Sequence, residues 1–138
     1  MGIGVVIRDH LGVVRAACIC YVDQVEDPEL AEAIVVRHAL SFTEEAGFQS
    51  IIMASDCSTI VNKVKNVTTD RSQIGAIIYD IKSRALKFKS CMFTHVNRSC
   101  NVASHVLARS AEHDPGSCWF NVVPDVIRTI VCTETFDE

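Results

Sequence analysis

Residues 50–61 read SIIMASDCSTIV. The apolar run Ile51, Ile52, Met53, Ala54 has the length of a buried strand. After Asp56 the pattern changes, with Ile60, Val61 and Val64 recurring at helical spacing. A strand passing directly into a helix is the repeating unit of an α/β fold. Open α/β sheets place their ligands beyond the carboxyl ends of their strands, which is where Asp56 stands. An aspartate at that junction is also a good helix cap. Position alone therefore leaves Asp56 between a chemical role and a structural one.

On the amino-terminal side, ELAEAIVVRHALSFTEEAG predicts an amphipathic helix. Leu30, Ala33, Ile34, Val36, Ala39 and Leu40 make its apolar stripe. Asp27 is its cap, Pro28 its first helical residue and Gly47 its stop. Before it, GIGVVIR and VVRAACICYV are β-rich runs joined by DHLG, which reads as an antiparallel hairpin with Gly12 in the turn.

On the carboxyl side, the helix after Asp56 runs from about Cys57 to Lys65, and a third follows through QIGAIIYDIKSRALKF. SCMFTHV is the next strand, in which His95 reads as a packed residue, and NVASHVLARSAEH is a further helix closed by DPG. The β-branched tail from Val126 to Val131 fits either a strand or a short helix. The order predicts an α/β fold, with a mixed sheet of antiparallel hairpin plus parallel strands and helices on both faces.

The 138 residues are 49% hydrophobic and 22% charged, which suits one folded domain rather than a disordered chain. No apolar run has the length of a membrane span, and charge follows the amino terminus too soon for a signal peptide, so an intracellular place, nuclear or cytoplasmic, is expected. Seven cysteines, with no C-x-x-C spacing, suggest neither a disulfide framework nor a zinc ribbon. Cys18 and Cys20 share one face of a strand, and buried thiols are the expectation there.

The net charge of −4 is unevenly spread. Between residues 63 and 98 stand Lys63, Lys65, Arg71, Lys82, Arg84, Lys87, Lys89 and Arg98 against Asp70 and Asp80 only, a local charge of +6. Such a stretch is either a solvated helix surface or a side that faces phosphates. Magnesium chemistry on phosphates would require several carboxylates within about 2 Å of the ion. Glu32, in the first turns of the long helix, is the second candidate ligand beside Asp56, and Glu29, one turn earlier, is the fallback.

GIGVVIRDHLGVV, ELAEAIVVRHALSF, IIMASDCSTIV, DRSQIGAIIYDIKSRA and FTHVNRSCNVASHVLARSA, in that order, resemble the ribonuclease H-like domain of the reverse-transcriptase-like group of plants, as in grasses. That group is related to type 1 ribonuclease H, which cuts the RNA of RNA–DNA hybrids with four acidic residues and two magnesium ions. The resemblance covers nearly the whole chain and implies one ribonuclease H-like domain over residues 1–138, truncated at the amino terminus relative to the family.

It places the family's helix glutamate at Glu32 and its strand-end aspartate at Asp56, as catalytic and metal-binding residues. The last acidic position falls on His105, in NVASH, which reads as a solvated helix residue or as a metal ligand or proton carrier. The first acidic residue belongs to a strand that in the family precedes the hairpin. Two of four carboxylates imply a nucleic-acid-binding domain that is weak or inactive as a nuclease, a pseudoenzyme, holding Mg2+ or Mn2+ weakly or not at all. The alternatives are an active hybrid-cleaving endonuclease once the missing strand is supplied, and a protein-interaction module. The vacant strand position is expected to be filled by the tail from Val126 to Thr133, by a partner subunit in a homodimer, or by strand exchange.

Overall fold

The computed structural model describes residues 1–66, 72–112 and 116–133. It is an α/β fold with an antiparallel and a parallel sheet, and the chain divides into two compact units.

The first unit contains residues 1–24 and those from 97 onward. Strands β1 (Gly2–Arg8) and β2 (Val14–Tyr21) form the hairpin. Its turn is fixed by Asp9, whose Oδ1 accepts the N–H groups of Leu11 at 2.9 Å and Val13 at 3.0 Å, and by Gly12 at φ 81°. Desolvation pushes the Asp9 carboxyl upward, but these two N–H groups and the Arg15 guanidinium outweigh it and hold the carboxyl below its usual range.

A short strand that the sequence pattern does not announce, β5 (Cys118–Phe120), pairs antiparallel with the other side of β2. Helix α4 (Val102–Arg109) packs on β1 through two glycines. A Cβ on Gly4 would stand 2.3 Å from the Ser104 carbonyl oxygen and 2.6 Å from the Ala108 nitrogen, so no other residue fits without displacing the helix.

The tail is helical. A 3-10 turn at Asp125–Ile127 continues into α5 (Arg128–Thr133), and Ile127 is fully buried with Ala17, Ile19, Ala103 and Leu107. Ile130 and Val131 pack against the same cluster, so the apolar spacing of the tail is that of a helix, and it supplies no strand.

The second unit, residues 25–96, holds α1 (Pro28–Glu45), β3 (Ser50–Ser55), α2 (Ser58–Lys65), α3 (Gln73–Ala85) and β4 (Ser90–His95). The predicted cap of α1 is present: Asp27 accepts from the N–H groups of Glu29 at 3.0 Å and Leu30 at 3.4 Å. Ser72 caps α3 through the Gly75 N–H at 3.3 Å. Strands β3 and β4 are parallel, in register from Ser50 opposite Ser90 to Ser55 opposite His95. Their inner residues Ile51, Met53, Cys91 and Phe93 meet Leu30, Val36, Leu40, Ile60 and Ile81 in one core.

Among the described residues, β1 and β3 each have one edge without a neighbouring strand. The Met1 amino group donates to the Val22 carbonyl and the Val22 N–H donates back, so alternation turns the backbone groups of Gly2, Gly4 and Val6 away from β2. On β3 the Ser55 carbonyl accepts the Val96 N–H at 2.9 Å, which leaves Ser50, Ile52 and Ala54 facing the open edge.

Candidate functional site

Asp56 is the first residue beyond β3. The chain turns there because Ser55 Oγ accepts the Cys57 N–H at 3.1 Å, and Cys57, not Asp56, is the cap residue of α2. Ser55 is in register with His95, so Asp56 emerges at the paired carboxyl ends of β3 and β4. Asp56 is half-buried.

Glu32 is likewise half-buried and follows the capped first turn of α1. Leu30, Ala33 and Val36 of that helix share a core with Ile60 and Val64 of α2 and with Ile51 and Met53 of β3. The two carboxylates thus stand on elements that pack together in one unit. His105 belongs to the other unit, in the first turn of α4, where its N–H donates to the Asn101 carbonyl at 3.4 Å; it is half-buried rather than solvated.

The fallback ligand Glu29 has another task. Lys63 Nζ lies 2.6 Å from its Oε1, an ion pair between α1 and α2. That leaves Glu32 and Asp56 as the carboxylates in question, and among the described residues no three His, Cys, Asp or Glu side chains gather as a metal ion requires. This donor set does not fit a two-magnesium centre, in which several carboxylates must offset the cost of dehydrating the ions.

The basic stretch also takes internal partners. Lys82 donates to the Asn66 carbonyl, and Lys87 lies 4.0 Å from Glu44. Arg84 bonds to Asp80 at 3.1 Å and to Ser41 Oγ at 2.6 Å, with Arg37 near the same aspartate at 3.8 Å. Lys65 and Lys89 of this unit, and Arg98 of the other, are exposed. Arg71 lies outside the described residues.

At the strand ends His95 departs from the expectation of a packed residue. It is exposed, opposite Ser55 at the carboxyl end of β4. The Arg84–Asp80 pair is visible in the sequence as an i, i+4 spacing on α3.

The fold is similar to that of a solved structure, the crystal structure of RNase H1 from the halophilic archaeon Halobacterium salinarum NRC-1. The match has a TM-score of 0.74 at 19% identity and covers 82% of this chain and 86% of that one. No curated protein matches. The family model described as "Reverse transcriptase-like" matches residues 1–111, a span that includes the hairpin, Glu32, Asp56 and His105. With most of its length matched, the chain belongs to the reverse transcriptase-like family.

Proposed function

We propose that residues 1–138 act as one ribonuclease H-like nucleic-acid-binding domain that is degenerate as a nuclease. The observation that carries this reading is the donor set: Glu32 and Asp56 stand on packed elements, while Glu29 is held by Lys63 and His105 occupies the last acidic position of the family pattern. Two carboxylates hold magnesium weakly, and neutral histidine is a poor ligand for so hard a cation, suiting manganese better. RNA–DNA hybrid is the ligand class suggested by the fold, met in the second unit by the exposed cations Lys65 and Lys89.

The test compares this chain with its Asp56→Asn variant on a labelled RNA–DNA hybrid, with magnesium and with manganese. Equal background cleavage in both, together with salt-sensitive binding, is the expected result. Cleavage that depends on Asp56 would overturn the degenerate reading, and absence of binding would favour a protein-interaction module.

The open edge of β1 supports a second reading, in which another copy of the chain pairs with that strand and the enzyme revives as a dimer. A dimer in sedimentation, with cleavage rising more than linearly with protein concentration, would establish it. A monomer without cleavage would end it.

A further inference from the structure

Three cysteines of the first unit, Cys18, Cys20 and Cys118, lie on a face of the antiparallel sheet that the nucleic-acid reading does not use. Cys18 and Cys20 alternate with Ile19 on β2 and therefore point to one side of it. Cys118 opens β5, and the register sets it directly opposite Cys18, followed by Ala17 opposite Trp119 and Ala16 opposite Phe120.

The kind of pair follows from the hydrogen bonds on either side. The Ile19 N–H donates to the Ser117 carbonyl at 2.9 Å, and the Asn121 N–H donates to the Arg15 carbonyl at 2.8 Å. Odd residues of β2 therefore bond to β5, and Cys18–Cys118 is a pair without hydrogen bonds between its own backbones. Such pairs have Cα atoms about 4.5 Å apart, inside the window of roughly 4.4–6.8 Å that a disulfide spans.

We infer that Cys18 and Cys118 are a cross-strand disulfide site, oxidised by agents of the peroxide class. Both are reduced thiols in this structure. They differ in access: Cys118 is exposed, whereas Cys18 is only 4% exposed. Peroxide therefore reaches Cys118 first. Its sulfur attacks one peroxide oxygen, the O–O bond breaks, and Cys118 becomes a sulfenic acid while the peroxide is reduced to alcohol or water. The Cys18 sulfur then attacks the Cys118 sulfur; the S–S bond forms, the S–O bond breaks, and the leaving hydroxide takes the Cys18 proton and departs as water.

Among the described strands no other cysteines share this arrangement. Cys91 of β4 stands opposite Ile51, and Cys20 lies beyond the residues that β5 pairs. The Cys20 thiol, on the same face, is pushed up by burial and by the nearby Cys118.

The experiment treats the whole chain with hydrogen peroxide, blocks remaining thiols and measures the intact mass and the non-reduced peptide map. Loss of two hydrogens, a Cys18–Cys118 linked peptide, reversal by excess thiol and no such loss in Cys118→Ser are expected. Oxidised protein should also unfold at a higher temperature, because the link constrains the unfolded chain. An unchanged mass, a map joining Cys20 to Cys118, or the same loss in Cys118→Ser would overturn the inference. The wild-type map decides independently of whether the variant folds.

Discussion

Lys63 and Glu29 form a 2.6 Å ion pair that ties the start of α1 to α2. A lysine engaged in this way contributes less to phosphate binding than an exposed one, because moving to a ligand means leaving its carboxylate. Lys63→Ala should therefore lower stability by about 0.2–1 kcal/mol, the range for partly exposed pairs, in urea unfolding. Its affinity for an RNA–DNA hybrid should fall less than that of Lys65→Ala or Lys89→Ala, each of which should reduce the salt slope of binding by roughly one. Fluorescence anisotropy across a salt series measures the difference, and equal losses in all three variants would contradict it.

The contact between Gly4 and Ser104 is tighter than any side chain allows, since a methyl carbon added at Gly4 would lie 2.3 Å from the carbonyl oxygen. Backbone on both sides leaves no flexible group to yield. Gly4→Ala should destabilise the protein by about 1–3 kcal/mol or more through overpacking, whereas Gly12→Ala meets open space and suffers only the strain of its positive φ. Thermal unfolding of the two variants should rank Gly4→Ala as the worse.

Ile127, fully buried in the tail, anchors the segment that follows Pro124 to the cluster of Ala17, Ile19 and Leu107. Ile127→Ala should cost about 2–5 kcal/mol, the range for a large-to-small change in a core. A neutral result in denaturant titration would mean that the tail does not pack there.

His38 makes stability depend on pH. Burial is the main influence, opposed by Glu45 and reinforced by Arg37, and the net effect holds the imidazole below its ordinary value of 6.5. A group with a depressed pKa in the folded state is protonated more readily when unfolded. Its stabilising contribution is therefore complete above the unfolded pKa, near 6.5, and is lost as pH falls below that value toward the folded pKa. His38→Gln should show a smaller drop in unfolding temperature between about pH 7 and pH 5 than the unsubstituted protein, the window set by the histidine pKa. An identical drop in both would exclude His38 as a source.

Local signals in the sequence determined the order of the elements, because they act over a few residues. Asp27 and Ser72 cap helices, Gly12 turns the hairpin, and the period of Ile51 to Val64 marks a strand becoming a helix. The same motifs, in register along the chain, were enough to reach the family that residues 1–111 match. Tertiary structure decided what depends on partners distant in sequence. It made the tail a helix by burying Ile127, gave β2 a second neighbour at Cys118–Phe120, claimed Glu29 for Lys63, and set Cys18 against Cys118. Strand register and ion pairing join residues many positions apart, and the alternation or spacing of one segment carries no record of which other segment it will meet.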